Sequence, residues 1–372
     1  MPGTVDHHGA LSRSLQPRIN PLPESLALHD SASTAERDSI SVRLVQQALL
    51  AFTDVDRSPA QLLESLGLSS ACLAEPDGRV SVDYYRRMWL GLAERFDDEF
   101  FGMDARRLRS GSFVFISRCC IAQPTLKAAL RQMLRFYGLT LERFRGRLVR
   151  RHSLAEIVLE EGACTPGRAF AYFTFWMLVH GLACWLVGRR IPLLAVESRC
   201  AEPDYTDDYR VMFSENLRFS QASTRIIFAA EVLGLPIRRS EEELRAFLQD
   251  APANILVRYR DSSSLASRIK QLLRERPADR WPDSQTLAGE LCMSPATLRR
   301  RLAEAGQPYQ GIKDAVRREL ATRWLADAAL SYAEIAERLG FADVSSFYKA
   351  FRKWSGTNPG HYRTLILGTA DE

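Results

Sequence analysis

The C-terminal stretch of this chain repeats itself, and that repeat limits its fold more than any other feature. Leu287-Ala288-Gly289-Glu290-Leu291 returns 48 positions later as Ile335-Ala336-Glu337-Arg338-Leu339. Leu298 and Leu302 return 49 positions later as Phe347 and Phe351. Each copy carries apolar residues at helical spacing, broken by a short turn: Cys292-Met293-Ser294 in the first, Gly340-Phe341-Ala342 in the second. A small residue, Ala288 or Ala336, sits where the two helices of each copy must cross closely. The second helix of each copy then starts on a cap. Ser294 precedes a Pro at the first helical position, and Asp343 occupies the matching place in the second copy. Helix, turn and capped helix make the helix-turn-helix unit, whose second helix enters the major groove of DNA.

The faces of the two capped helices suit that task. With Leu298 and Leu302 turned inward, Ala296, Thr297, Arg299, Arg300 and Arg301 ring the outside. With Phe347 and Phe351 inward, Val344, Ser345, Ser346, Tyr348, Lys349 and Arg352 remain available. Arg reaches guanine bidentately, and Ser or Thr reaches several base edges. One basic helix face is explained equally well by plain solvation; two capped copies favour reading of double-stranded DNA. Between the units, Ile312, Ala315, Val316, Leu320 and Trp324 form a helical stripe. A helix from Gln310 to Asp327 would span about 27 Å, near the roughly 34 Å between successive major grooves on one DNA face. The same stripe also serves as plain scaffolding. From Pro252 to Ile366 there are 19 Lys and Arg against 12 Asp and Glu, a net of +7. The whole chain carries +5, so the remainder sums to −2 and the basic charge is confined to the reader.

The rest of the chain predicts a different kind of domain. Residues 1–38 are rich in Ser, Pro and His and read as a disordered tail. From 39 to 250 the pattern mixes helices and strands. Leu44 to Leu50, Pro59 to Leu63 and Val82 to Phe96 have helical spacing, and Pro124 stands at a helix's first position. Arg147–Arg150 and Ala155–Leu159 read as strands joined by a turn, followed by strands at Leu193–Val196 and Arg225–Phe228. Residues 251–263 are a polar linker to the reader at 264–366. The fold class expected is therefore an α+β N-terminal sensor domain followed by an all-α DNA-binding domain with two helix-turn-helix units.

Ala169 to Val187 carries no charge over 19 residues and passes for a membrane span by length. Its His180 and bulky aromatics favour a helix buried on all sides, with no membrane, although a single-span tether remains open. Seven Cys, with Cys119 and Cys120 adjacent and no CxxC pair, indicate a reducing, cytoplasmic setting. No HExxH, glycine-rich phosphate loop or paired-Cys zinc spacing is present, so no catalytic residue, metal site or cofactor is expected. A large domain without catalytic motifs suggests a sensor. Trp89, Arg118, His152, Trp176 and His180 are the candidate lining of a pocket for a small, apolar or carboxylate-bearing effector. Each is equally well explained as an ordinary core residue.

Arg317, Ala321, Leu325, Ile335-Ala336, Gly340-Phe341, Phe347, Phe351-Arg352-Lys353, Gly356, Pro359 and Tyr362-Arg363 together resemble the signature of AraC/XylS-type regulators. The resemblance covers about Leu265 to Arg363. It implies DNA contact at Ala296, Arg299 and Arg300 in the first unit, and at Val344, Ser345, Ser346, Tyr348 and Lys349 in the second. Ala296 is smaller than the residue usual at its position. Less sharply, Tyr84–Met103, Pro124–Tyr137 and Pro203–Phe219 resemble the arabinose-binding-like sensor domain of an AraC-type subgroup. That likeness implies small-molecule sensing and a homodimer, and the family implies RNA polymerase as partner and activation of transcription. A constitutive dimer without a small ligand stays open as the alternative.

Overall fold

The computed structural model describes residues 39–53, 58–161, 167–251, 255, 265–304 and 307–367. The expected tail lies outside them, as does the expected linker apart from Ala251 and Ile255. The N-terminal part is α+β and the C-terminal part is helical, as the patterns predict.

In the N-terminal part, helices α1 (Val42–Leu49), α2 (Pro59–Ser65), α3 (Val82–Phe96), α4 (Ser112–Ile121), α5 (Leu126–Thr140), α6 (Ala169–Val187), α7 (Asp207–Met212) and α8 (Glu241–Asp250) accompany two sheets. Strands β1 (Ser39–Ser41) and β2 (Arg79–Ser81) form a small antiparallel pair. The main sheet contains β3 (Gly146–Arg151), β4 (Leu154–Leu159), β5 (Leu193–Glu197), β6 (Leu217–Arg218) and β7 (Arg225–Ala229), in the order β3-β4-β7-β5-β6. Its pairings are antiparallel except β5 with β6. The four expected strands all fall within it. α3 matches its expected span: Ser81 caps the Tyr84 N–H at 3.1 Å, and Asp97, in the left-handed region at φ 51°, ends it. The start of α5 differs from expectation. Thr125, not Pro124, sets it, because the Thr125 hydroxyl accepts from the Ala128 N–H. Pro124 instead offers its carbonyl to the Ile237 N–H.

α6 is long and apolar enough to cross a membrane, yet 94% of its apolar window is buried inside the protein. A helix apolar all round needs cover on every side, and this one is the axis of the N-terminal core. Gly181 lets Ile255 close against it, since a Cβ there would lie 2.3 Å from Ile255 Cγ2. Ile255, expected in a solvated linker, is therefore part of this core.

The C-terminal part comprises α9 (Leu265–Arg274), α10 (Ser284–Glu290), α11 (Pro295–Glu304), α12 (Tyr309–Leu325), α13 (Tyr332–Arg338), α14 (Val344–Ser355) and α15 (Pro359–Leu367). α10 and α11 form the first repeat, α13 and α14 the second. Their turns have the same geometry. The N–H groups of Cys292 and Met293 bond to the carbonyls of Gly289 and Ala288, and those of Gly340 and Phe341 bond to Glu337 and Ala336. Cys292 and Gly340 are both left-handed, at φ 54° and 74°. Glycine adopts this region freely, whereas an L side chain pays about 1–2 kcal/mol. Exposed Cys292 is thus the strained version of the turn. Cys292→Gly is expected to stabilise the protein by roughly 0.5–1 kcal/mol, since part of the relief is lost to unfolded-state entropy. Urea denaturation reads this directly, and a destabilised variant would show that the Cys292 side chain holds the turn.

Candidate nucleic-acid interface

Each of the two capped helices is fixed from below and open above, beginning with the cap. The Ser294 hydroxyl accepts from the Thr297 N–H at 3.1 Å. The Asp343 carboxylate accepts from the Ser346 N–H at 2.8 Å and from the Ser346 hydroxyl at 2.7 Å, which together hold its pKa below the usual range. Leu298 and Leu302 on α11, and Phe347 and Phe351 on α14, are buried as expected. That leaves Ala296, Arg299, Arg300 and Arg301 exposed, and Thr297 half-buried beside its cap. On α14, Ser345, Lys349 and Arg352 are exposed and Ser346 is half-buried. Val344 and Tyr348 are less available than the sequence suggests. Both pack partly into the second unit's core, and the Tyr348 ring lies edge-on to Tyr332 with centroids 5.6 Å apart.

α12 joins the two units at both of their cores. Its Ile312 and Val316 belong to the first unit's core, its Ala321 and Leu325 to the second's, and Leu320 packs against both. Its 17 residues span about 26 Å at 1.5 Å each. Arg317 bridges the units from the middle of α12. Its guanidinium lies 5.0 Å from the Trp281 ring and 5.5 Å from the Phe341 ring, and its Nε donates to the Leu339 carbonyl at 3.1 Å. Burial lowers its pKa. The sequence marks Arg317 only as a family residue; the aromatic pair around it explains why an Arg belongs there.

The second unit is also docked on the main sheet. Strand residues alternate: Ala155, Ile157, Val196, Ile226 and Phe228 face the α6 core, whereas Leu154, Ala195 and Ile227 join the core of α12, α13, α14 and α15. Leu194 joins the same face through an irregularity in β5. Buried polar groups fix the contact. Asn216 Nδ2 donates to the Leu194 carbonyl at 3.0 Å and to the Tyr362 hydroxyl at 2.9 Å, and the Tyr362 hydroxyl donates to Leu194 O at 3.0 Å. Arg225 bonds Glu197 through Nε at 2.6 Å and Glu156 through Nη1 at 2.7 Å. Its Nη2 reaches the Leu365 carbonyl at 3.1 Å, and Arg218 reaches the Ile366 carbonyl at 3.1 Å. Burial alone would lower the Arg225 pKa; Glu197 and Glu156 outweigh it and raise it. The two arginines thus satisfy carbonyls at the end of α15, a favoured place for cations. The second unit of the reader therefore packs directly on the main sheet, and the docked unit still keeps Ser345, Lys349 and Arg352 exposed.

The five candidate pocket residues are not gathered in one place. Trp89 and Trp176 are core side chains, and His180 is buried with its ring nitrogen 2.8 Å from the Ile191 carbonyl. Arg118 is exposed, and so is His152, whose ring lies tilted beside that of His361 at the docking face with centroids 5.3 Å apart. The structure opens a different cavity, at the start of α6.

Comparison with known proteins completes the picture. Residues 57–237 match the family described as the arabinose-binding domain of AraC transcription regulators, N-terminal, and residues 287–364 match a family described as a helix-turn-helix domain. The ornithine utilization regulator of Pseudomonas aeruginosa is 26% identical over 304 residues, 81% of this chain and 89% of that protein. The HTH-type transcriptional regulator VqsM of the same species is 35% identical over 103 residues, 28% of this chain and 31% of its own length. Among solved structures, the transcriptional regulator CdpR from Pseudomonas aeruginosa aligns over 87% of this chain and 97% of its own at 21% identity, with a TM-score of only 0.27. The repeat signature, the two capped helices and the two family matches agree: this chain belongs to the AraC family of sequence-specific DNA-binding transcription regulators, with an arabinose-binding-type domain ahead of its double helix-turn-helix reader.

Proposed function

We propose that the protein is a cytoplasmic, homodimeric activator that changes its promoter output when a small-molecule effector enters the N-terminal domain. One observation carries this reading: the second reading unit shares a buried core and an ion network with the sheet of the N-terminal domain. A change in that sheet has a direct mechanical route to the reader, which a tethered but undocked module would lack. The relative aligned along both domains is named for ornithine utilization, which puts amino acids first among effectors to try. Self-association is supported by an apolar patch on α4 and α5, where Phe115 is 58% and Leu139 69% exposed and the Phe136 ring lies 5.7 Å from Phe115. RNA polymerase is the partner an activator needs at the promoter.

The test is a promoter reporter in cells with and without the protein, grown on amino acids, organic acids or fatty acids. The expected result is protein-dependent transcription that rises with one class of supplement. Transcription that depends on the protein but ignores every supplement would favour the constitutive dimer. In sedimentation experiments Phe115→Asp is expected to yield monomers; an unchanged dimer would place self-association elsewhere.

A further inference from the structure

We infer that the cavity at the start of α6 is a binding site for a small zwitterionic amino acid, its ammonium held by Glu161 and its carboxylate by Arg168 and Arg143. The inference rests on the reading of the N-terminal domain as an effector sensor and supplies that sensor's site and ligand chemistry. The cavity holds about 160 Å³ and is lined by Arg143, Phe144, Glu161, Arg168, Ala171 and Tyr172, among others. At ~30 Å³ per water in the liquid, that is room for roughly five waters. Ligand sites for drug-sized molecules run to about 300 Å³ and above, so a single small metabolite fits here and a fatty chain does not.

The cavity lining carries charges of both signs. Glu161 is the acidic one, with its side chain only 8% exposed. Its Oε1 accepts the Tyr172 hydroxyl, which also receives the Gly167 N–H. Its Oε2 is buried and, among the described residues, receives no hydrogen bond. The Arg199 guanidinium forms an ion pair with this oxygen at 3.9 Å, beyond hydrogen-bond distance. A buried carboxylate oxygen without a donor is costly, and native proteins rarely leave one. A ligand ammonium brings the missing donor.

The other charges are cationic. Arg168 is the residue at which α6 begins, and its own side chain does not cap the N–H groups of the first turn. That end of a 19-residue helix carries positive partial charge and favours an anion. The hydrogen bonds of Arg168 go to the neutral carbonyl and amide oxygens of Gln47 at 3.3 and 3.4 Å. Arg143 lines the same cavity. A simple anion would meet the Glu161 carboxylate, and a simple amine would meet two guanidiniums and a helix N-terminus. A molecule with both charges satisfies both, and the spacing of ammonium and carboxylate in an amino acid suits so small a space.

The test is a thermal-shift screen of the full chain with the common L-amino acids and L-ornithine. Putrescine, glutarate and oleate serve as probes that lack one charge or exceed the space. At least one amino acid is expected to raise Tm by roughly 3–4 °C at a hundred times its Kd, and the three other probes are not. Glu161→Gln and Arg168→Gln are each expected to weaken that amino acid at least tenfold by calorimetry. Arg168 is an exposed residue, so its variant is expected to fold even where the Glu161 variant does not, and the far-ultraviolet circular dichroism of each confirms it. An amino acid whose affinity survives Arg168→Gln and Glu161→Gln would overturn the site. A response to oleate, glutarate or putrescine alone would overturn the zwitterion while leaving effector sensing intact. Sensing itself falls only if the promoter reporter also ignores every supplement.

Discussion

Arg225→Met is expected to cost about 3 kcal/mol or more of folding stability, the largest effect of any single polar substitution considered. Breaking a buried ion pair by removing one partner typically costs about 3–5 kcal/mol, because the charge left behind is neither solvated nor paired. Arg225 leaves two buried carboxylates, each short of one of its arginines. The Glu156 and Glu197 side chains are 2% and 3% exposed, and Arg225 itself is 14% exposed. Each glutamate keeps a second arginine, Arg151 at 2.9 Å and Arg218 at 2.8 Å, which holds the loss at the lower end of the range. The variant also loses the bond from Arg225 to the Leu365 carbonyl, so α15 is expected to exchange its amide hydrogens faster even where the fold persists. Urea melts of Arg225→Met, of Glu156→Gln with Glu197→Gln, and of all three together form a cycle. Near-recovery in the triple variant is expected. A loss below about 1 kcal/mol for Arg225→Met, against the ~3 expected from buried pairs, would mean the network does not hold the reader to the sheet.

The second large effect concerns reading. Arg299 sits on the exposed face of α11, one residue past buried Leu298 and clear of the capping contacts of Ser294. If its guanidinium takes a guanine edge, Arg299→Ala weakens the specific site by about 1–3 kcal/mol, or roughly 5- to 150-fold, and unrelated DNA much less. Stability is expected to stay within about 0.5 kcal/mol, as for surface substitutions generally. Fluorescence anisotropy titrations on both DNAs separate the cases. Equal losses on the two would make Arg299 a phosphate contact.

Much of this was legible in the residues, and the reason is local. The C-terminal helices follow from apolar spacing and caps that act within four residues, so Ser294, Asp343 and the buried Leu298, Leu302, Phe347 and Phe351 all stand where their pattern puts them. α6 was readable too, since an uncharged 19-residue helix must be covered by something. What was not legible depends on partners distant in sequence. Glu156 sits mid-strand between apolar residues, and only the pairing of β4, β7 and β5 brings Arg225 and Glu197 to it. A carboxylate at a strand position flanked by core residues was the signal available. A pocket was hard to read for the same reason: aromatics and histidines mark a core as readily as a cavity. The cavity's own feature, Glu161 with a donor-less oxygen, appears only once Tyr172 and Arg199 are placed around it.

The central claim is that the two capped helices of this chain read a DNA sequence. In vitro selection from a random duplex library with the full chain, followed by titration of the enriched duplex and a shuffled one of equal length at physiological salt, measures it most directly. Specific regulators bind their site typically 10³-fold or more tighter than other DNA. The expected result is a preference of at least about that size, reduced by Arg299→Ala and by Lys349→Ala. Failure of any sequence to enrich, or equal affinity for the enriched and shuffled duplexes, would contradict it.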